Sequence, residues 1–546
     1  MPITVQQSGY NPETGAYNDS LTGDYLWSSV NTREATPDVM TPYTWSAMRL
    51  GFAQMTMLPG YLPVGNICGR IYNNASVGAT AFKALGQRNS FDASSRELYG
   101  IDPNDVGAWN VPLISIGFRD RALVLRNALQ IMGKVRSALK SVHIFVDTNP
   151  GWCEKQHRSL SGFGRAELLR WSDEILLPYL IKCFWWMVSS AITQANLVSK
   201  LRRDLLKIAS SSDTIALLSN VSSEEEFLSS LGIVAGIDRL RRGQMSREEY
   251  LKQYGHRGPH EVEMYIPRPA ENPNWIDEQM AGLESAPADV DSLLRDQRAR
   301  YEAALKNLQK NAPRKFDSLR QRLQEAARLT RLREAGRAEV IRTFWVSRLF
   351  VLGAGASCGL DEQAFFLEHD ELIRLLRGQD ESRDQITARK TAYHRFTALP
   401  QYPTLIMGHF DPFTWAADPH RRTDIYDATR RINQQFTHQV KGLPGSAGQA
   451  IGRVRILNSP EESDQFQPGE ILVAITTNVG WTPIFPRAAA VVTDVGAPLS
   501  HAAIVARELG IPAVVGCFNA TSLLKTGDRV RVDGGQGTVE VLEGTS

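Results

Sequence analysis

The stretch VVTDVGAPLSHAAIVARELGIPAVVG, residues 491–516, decides how this chain is interpreted. Its apolar beginning predicts a short strand over 488–493, and the Gly/Pro-containing turn 496–498 ends that strand. Ser500 is a typical N-cap residue, so the predicted helix begins at His501. The sequence therefore places one imidazole at the positive end of a helix.

A histidine at a helix start has two interpretations. A neutral imidazole, with a reference pKa near ~6.5, is a competent nucleophile toward phosphorus at neutral pH. A phosphoryl group carried there is stabilised by the unpaired backbone N–H groups of the first helical turn. The alternative is a histidine that only caps the helix or packs beneath it. The position of His501 alone leaves both interpretations open.

The wider pattern resembles a known family. Thr493, Gly496, Ser500 and His501, followed by AAIVARELGIPAVVG, are similar to the phosphohistidine motif of the swivelling domain in phosphoenolpyruvate (PEP)-utilising enzymes. That group includes PEP synthase, pyruvate phosphate dikinase and rifampin phosphotransferase. The resemblance implies that His501 is transiently phosphorylated and that the other three residues support the phosphohistidine. Ala497 departs from the pattern, because many relatives carry a second glycine there.

Composition narrows the class of protein. The chain has 546 residues, 42% hydrophobic and 22% charged, which predicts a soluble globular protein of two to four domains. A net charge of +2 gives no field that would recruit nucleic acid or a membrane. The five scattered cysteines indicate neither a disulfide framework nor a metal site, which is typical of a reducing cytoplasm. The apolar run 175–192 contains Pro178 and Lys182 and is interpreted as a buried helix.

No nucleotide site is predicted within the chain. Residues 24–46 resemble the sequence that follows the ATP-grasp domain in rifampin phosphotransferase and related synthases. No G-x-x-x-x-G-K-[ST] phosphate loop is present, and no ATP-grasp pattern is found. The layout is thus closest to rifampin phosphotransferase lacking its ATP-grasp domain. ATP and Mg²⁺ are expected on a separate ATP-grasp protein, and no metal is expected on this chain.

A dense loop motif, YGHRGPHEVE, lies at 254–263. Two glycines and a proline predict an irregular backbone that carries crowded polar side chains. The motif resembles the Gly-x-Arg-x-Pro-x-Glu segment of the family's substrate domain. The resemblance implies that His256, Arg257 and Glu261 bind substrate. The alternative is a structural turn in which Arg257 and Glu261 satisfy each other.

The charged helical pattern over 290–350 contains REAGR at 333–337. Arg333 and Arg337 are four residues apart, so they share one helix face and can hold a phosphoryl group from one side. The segment resembles the Arg-Glu-x-x-Lys sequence that faces the phosphohistidine in rifampin phosphotransferase. Arginine at 337 keeps the positive charge of that lysine but cannot accept a proton. Both arginines are therefore predicted to be catalytic.

The predicted fold is multidomain, with a mainly α-helical substrate-binding domain followed by a compact β/β/α swivelling phosphohistidine domain. The expected boundaries are an irregular leader at 1–20, the helical domain at 21–440, a flexible linker at 441–448 and the swivelling domain at 449–546. Within the last domain, Thr477 and Thr482 are interpreted as capping and turn residues, although either could lie near the nucleophile.

These features predict a subunit of a cytoplasmic dikinase-type phosphotransferase. His501 would receive a phosphoryl group from ATP on the partner protein and pass it to a small organic acceptor in the helical domain. The alternative is a phosphohistidine carrier or regulatory protein that docks to a protein partner without small-molecule catalysis. No nucleic-acid or membrane partner is expected.

Overall fold

In the computed structural model, the described residues are 9–87, 99, 111–219, 229–284, 290–379, 382–430, 439–498 and 500–544. They form two compact units. Unit 1 comprises residues 1–189, 260–267 and 339–434, and unit 2 comprises 190–259, 268–338 and 435–546. Each unit is thus assembled from segments that are far apart in the sequence.

The structure is mostly helical. In chain order the helices are α1 Pro42–Ala53, α2 Ala75–Ala84, α3 Phe118–Leu139, α4 Val142–Leu160, α5 Arg165–Trp171, α6 Leu177–Leu205, α7 Ser211–Leu217, α8 Ser229–Arg241, α9 Arg247–Tyr254, α10 Trp275–Glu284, α11 Val290–Asn311, α12 Phe316–Ser357, α13 His369–Leu376, α14 Ile386–Thr397, α15 Pro412–Ala417, α16 His501–Glu508 and α17 Ala520–Leu523.

The long helical pattern predicted over 290–350 is confirmed as α11 and α12. The two helices are separated near Pro313, whose missing N–H and ring interrupt a helix interior. α12 contributes its residues up to Ala338 to unit 2 and the rest to unit 1.

Unit 1 contains a small sheet that the helical prediction missed. Its strands are β1 Leu26–Ser28, β2 Val64–Ile67, β3 Arg70–Asn74, β4 Leu405–Met407 and β5 Ile425–Asp427, in the order β2-β3-β1-β4-β5. Only the β4–β5 pair is parallel among these neighbours. Strands of three to five residues lie below the length at which sequence periodicity identifies a strand.

The aromatic run at 184–186 belongs to the interior of the protein. Phe184 and Trp185 are buried, and Trp186 stacks on Phe145 with ring centroids 4.3 Å apart. The stretch Arg165–Leu205 is long and apolar enough to cross a membrane by length and composition alone. Several of its side chains, including Leu176, pack into the main hydrophobic core of unit 1, as the sequence predicted for a core helix.

Unit 2 is built around a larger sheet. Its strands are β6 Gln439–Lys441, β7 Leu443–Ser446, β8 Gln449–Ile456, β9 Ile471–Ala474, β10 Ala490–Thr493, β11 Ala513–Val515, β12 Arg529–Asp533 and β13 Thr538–Glu543, in the order β6-β13-β12-β8-β9-β10-β11-β7. The neighbours β8, β9, β10 and β11 run parallel. This β-rich region with interleaved short helices confirms the fold predicted for the C-terminal part.

The central parallel strands are buried on both faces. Val491 packs into the core that contains Ala503 and Ala506 of α16, whereas its neighbour Val492 packs into the core on the opposite face. Two-sided burial explains why these strands are continuous apolar runs rather than alternating patterns. α16 is thereby fixed against one face of the sheet.

The predicted flexible linker at 441–448 is wrong. Leu443–Ser446 is strand β7, which pairs antiparallel with β11, and the N–H of Gly442 donates to the carbonyl of Gly537. Glycine and proline favoured a linker prediction, but an edge strand tolerates both. The predicted domain boundaries otherwise stay a prediction, because the two units are defined by compactness and group helical segments with the C-terminal sheet.

Candidate functional site

His501 lies where the sequence predicted it, at the first position of α16. β10 ends at Thr493, the chain turns, and the Ser500 hydroxyl accepts a hydrogen bond from the N–H of Ala503 at 3.3 Å. The carboxyl ends of parallel strands and helix N-termini are common sites for anionic ligands. The His501 side chain is buried, with 6% of its surface exposed.

The turn before His501 requires glycine. Gly496 has a φ of +152°, and a Cβ there would approach the Ser500 hydroxyl to 3.1 Å and Val515 to 3.2 Å. Gly516 has a φ of +65°, and a Cβ on it would lie 2.6 Å from the carbonyl oxygen of Gly496. These two glycines therefore let the loop approach β11 closely enough to aim α16. The buried Thr493 hydroxyl lies 3.3 Å from the same Cβ position on Gly496.

Two threonines hold the imidazole of His501. The Thr477 hydroxyl lies 3.3 Å from Nδ1, and the Thr482 hydroxyl lies 3.3 Å from Nε2. Thr482 also donates to the carbonyl of Val479 at 2.8 Å. Thr477 follows β9 and His501 follows β10, so neighbouring parallel strands deliver both side chains to the same edge of the sheet. Thr482 keeps its predicted turn role and also contacts the ring.

An irregular loop after α9 brings Arg257 toward the same site. The Pro259 carbonyl accepts a hydrogen bond from Asn478 at 2.7 Å, and a Cβ on Gly480 would lie 2.6 Å from the Pro259 Cα. The loop is therefore packed against the turn that carries Thr477 and Thr482. Arg257 itself is 3% exposed, and its positive charge acts on His501.

Arg333 and Arg337 approach from α12, on the shared face that their spacing predicted. Both are partly buried, and the Arg333 guanidinium lies 3.8 Å from the Glu334 carboxylate. Burial, followed by the charges of Arg337, Arg257 and Arg333, lowers the pKa of His501 well below its usual value. The imidazole is consequently held neutral.

This arrangement suits a phosphoryl group better than it suits a proton. Three guanidinium groups near a neutral imidazole repel imidazolium, whereas they attract the negative charge of a phosphoryl group bonded to that ring. In the arrangement described, both ring nitrogens face threonine hydroxyls. A phosphoryl group can bond to either nitrogen only if that hydroxyl or the imidazole moves.

The three residues predicted to bind substrate do not all belong to the same compact unit. His256 and Arg257 are buried in unit 2, where Arg257 belongs to the surroundings of His501. Glu261 is buried in unit 1. The sequence assigned Arg257 to a substrate loop, and no periodicity could reveal its place beside His501, because loop geometry sets that position. For Thr477 and Thr482 the sequence favours capping and turn roles, and the structure places both hydroxyls on the His501 ring.

Arg507 is a structural residue of α16. Its guanidinium donates to the carbonyls of Gly445 at 2.9 Å and Pro498 at 2.6 Å, and burial lowers its pKa to about 10. Arg507 thus braces the loop before His501 from the side of β7, as expected from its position off the His501 face.

Two family models match segments of the chain that contain residues around His501. The family described as "PEP-utilising enzyme, mobile domain" matches residues 466–537, which include His501, Thr477 and Thr482. The family described as "Rifampicin phosphotransferase fourth domain" matches residues 187–334, which include Arg257 and Arg333.

Three curated relatives match parts of the chain. An uncharacterised protein of Mycobacterium tuberculosis is 35% identical over 299 residues, covering 54% of this chain and 31% of the relative. The rifampicin phosphotransferase of Streptomyces sviceus is 28% identical over 333 residues, covering 58% and 36%. The prodigiosin synthesizing transferase PigC of Serratia marcescens is 29% identical over 310 residues, covering 54% and 33%. The chain thus spans about a third of the length of these relatives.

The buried histidine at a helix start therefore lies in a segment that matches the mobile domain of PEP-utilising enzymes, with three arginines around it. The fourth-domain match and the named relatives make the matched segments similar to those of rifampicin phosphotransferases.

Proposed function

We propose that the chain is a subunit of a dikinase-type phosphotransferase. His501 accepts a phosphoryl group from ATP held, with Mg²⁺, by a separate ATP-grasp protein. It then passes the group to a hydroxyl or comparable nucleophile of a small organic acceptor in the helical domain, and AMP and phosphate are the other products. The proposed location is the cytoplasm, where ATP is available and where buried free thiols such as Cys517 persist.

One observation supports the proposal above the others. The His501 imidazole is kept neutral by burial and by three arginines, two from α12 and one from the loop after α9. Neutrality gives the ring a lone pair for attack on phosphorus, and the guanidinium groups stabilise the charge that develops on the phosphoryl oxygens during transfer. A histidine that only packs beneath a helix has no need of three cationic neighbours.

The proposed chemistry requires the phosphoryl group to be carried between two places. The N–P bond forms at the ATP-grasp protein as the β-phosphorus of ATP parts from AMP, and the γ-phosphoryl group is released to water as phosphate. It breaks when the acceptor oxygen attacks phosphorus, which returns the electron pair to the imidazole. One histidine cannot be within bonding reach of two distant sites, so the carrier must move between them. Phosphorylation of either ring nitrogen breaks the contact between that nitrogen and its threonine hydroxyl.

The test is phosphorylation of the whole chain with ATP labelled at the β-phosphate, with and without candidate ATP-grasp proteins. Acid-labile, base-stable label is expected on the wild type in the presence of the correct partner. His501→Ala should carry none, whereas the control His143→Gln, at an exposed position on α4, should label normally. Label that survives His501→Ala would overturn the proposal. Label that forms but is never passed to any acceptor would favour the carrier alternative.

A further inference from the structure

Both threonine hydroxyls that face the imidazole of His501 are shut off from solvent. Thr482 is fully buried and Thr477 is 1% exposed. The Thr477 hydroxyl lies 3.3 Å from Nδ1, and the Thr482 hydroxyl lies 3.3 Å from Nε2. The ring of Phe485 meets the imidazole edge-on, with ring centroids 6.0 Å apart and an interplanar angle of 86°. The imidazole is therefore held in one orientation, in which each nitrogen faces one hydroxyl oxygen.

The proton of the Thr482 hydroxyl is already committed. It is donated to the carbonyl of Val479 at 2.8 Å, and the backbone N–H of Thr482 donates to the same carbonyl at 3.2 Å. The Asn478 side chain fixes the start of this turn by accepting from the N–H of Gly480 at 3.0 Å. A hydroxyl has one proton and two lone pairs, so the Thr482 oxygen can only accept from Nε2. The imidazole therefore carries its proton on Nε2.

Thr477 complements this arrangement at the other nitrogen. Burial and the neighbouring guanidinium groups keep the His501 ring neutral, so one of its two nitrogens bears a proton. With that proton on Nε2, the lone pair of the ring is on Nδ1. The Thr477 hydroxyl has Nδ1 as its hydrogen-bond partner in the described part of the chain, so Thr477 donates to this lone pair.

The two nitrogens are consequently unequal as bonding sites for a phosphoryl group. Bonding at Nε2 removes only the bond that Thr482 accepts, because Thr482 still donates to Val479 and Thr477 still donates to Nδ1. Bonding at Nδ1 would displace the Thr477 hydroxyl and would leave the lone pair of Nε2 facing a lone pair of the Thr482 oxygen. Buried polar groups that lose their partners are costly, so the hydrogen-bond pattern favours Nε2.

We propose that Thr477 and Thr482 are positioning residues of the phosphoryl transfer, which fix the tautomer of His501 so that the phosphoryl group enters and leaves at Nε2. This inference rests on the proposed phosphotransferase function. During loading, the N–P bond forms and the proton on Nε2 is released to water. During discharge, the acceptor oxygen forms the O–P bond while the N–P bond breaks and its electron pair returns to Nε2.

The same arrangement accounts for the proton of the acceptor during discharge. The proton of the acceptor hydroxyl ends on Nε2, which restores the neutral ring and the bond that Thr482 accepts. Throughout the step Thr477 donates to Nδ1 and stabilises the negative charge that develops on the departing imidazole. Thr477 is therefore expected to affect the rate of discharge, whereas Thr482 is expected to affect the choice of nitrogen.

The first test determines the tautomer in the unloaded whole chain. Long-range ¹H–¹⁵N NMR spectra of protein labelled with ¹⁵N-histidine should show the proton of His501 on Nε2 from about pH 6 to about pH 8. The signals are assigned by their absence from His501→Gln. Thr482→Val should shift the population toward a proton on Nδ1. Thr477→Val should move the Nδ1 signal toward that of a lone pair without a hydrogen bond, and Thr477→Ser should restore it.

The second test concerns the loaded chain. The whole chain is phosphorylated with potassium phosphoramidate, the reagent is removed, and ³¹P NMR identifies the nitrogen that is bonded to phosphorus. Loss of acid-labile phosphate is then followed with water as the acceptor. The wild type should load at Nε2. Thr477→Val should load at both nitrogens and lose its Nε2-linked phosphate about 10-fold more slowly, whereas the exposed control His143→Gln should match the wild type.

The outcomes separate this inference from the proposed function. A wild-type ring with its proton on Nδ1, or ring signals that are unchanged in both valine variants, would overturn the roles of the two threonines. Loading of the wild type at Nδ1, or equal discharge of Thr477→Val and the wild type, would do the same. A wild type with its proton on Nε2 that never loads at His501 would instead overturn the proposed phosphotransferase function, while the tautomer assignment would stand.

Discussion

His501 and His260 are the same residue type in opposite electrostatic surroundings. His501 is buried among three arginines, and its pKa is well below the usual value for histidine. His260 is partly exposed and contacts the carboxylate of Asp38. The first setting favours a neutral ring, whereas the second places a negative charge beside the imidazole. The two imidazoles therefore differ in the sign of the neighbouring charge rather than in residue type.

The largest expected effect comes from removing two of the arginine charges that surround His501. Arg333→Gln combined with Arg337→Gln should reduce phosphoryl transfer from His501 about 100- to 1,000-fold, because charge developing on the phosphoryl oxygens loses its partners. The measurement is single-turnover discharge of the loaded chain. Arg328→Gln, on the same helix but exposed and paired with Glu325, is the matched control and should transfer normally. Equal rates in the double variant and the control would remove Arg333 and Arg337 from the site.

The buried carboxylate of Glu263, on the same loop as His260, gives the next largest effect. Burial raises the pKa of Glu263 to about 7, so the folded state binds a proton more tightly than the unfolded chain does. The free energy of unfolding should therefore fall, by up to about 3 kcal/mol, as pH rises from about 4.5 to above 7.

Glu263→Gln should abolish that slope and cost about 1–3 kcal/mol, because glutamine keeps one acceptor oxygen and its NH2 group would face the N–H of Thr41. Urea unfolding from pH 4.5 to 8 measures both quantities. Glu325→Gln, on an exposed face, is the control. A wild-type slope that survives Glu263→Gln would assign it to another group.

A smaller effect of opposite sign belongs to His501. Its pKa is lowered in the folded state, so the unfolded chain takes up the proton first as pH falls below about 6.5. The wild type should lose at most about 1.4 kcal/mol of stability per pH unit through this group. His501→Gln should lack this contribution, as judged by urea unfolding between pH 5 and 7. A resolved His501 titration near pH 6.5 in NMR spectra would contradict the neutral ring.

The smallest expected effect concerns the contact between the Thr482 hydroxyl and the imidazole of His501. Thr482→Val keeps the side-chain shape but removes the hydroxyl that donates to Val479 and faces Nε2 of His501. Loss of this bond should cost about 1 kcal/mol of stability. Loading by phosphoramidate should accelerate, since one ring nitrogen is uncovered. Slower loading would mean that Thr482 aligns the ring for reaction instead of covering it.

The sequence predicted the local part of the site well. Strand, turn, N-cap and helix around His501 are encoded by adjacent residues, and the four-residue spacing of Arg333 and Arg337 fixes their common face. The short strands of unit 1 and strand β7 were missed, because segments of three to five residues carry too little periodicity to distinguish a strand from a loop.

By itself, the sequence determined that His501 begins a helix, that the chain carries a phosphohistidine-type motif and that two arginines share a helix face, since each depends on neighbours within about two helical turns. Only the tertiary structure decided that Arg257 joins His501, that two threonines cover the ring and that Asp38 holds His260. Asp38 and His260 are 222 residues apart, and such pairings are set by sheet order and loop packing. Those long-range contacts give each histidine its charge environment.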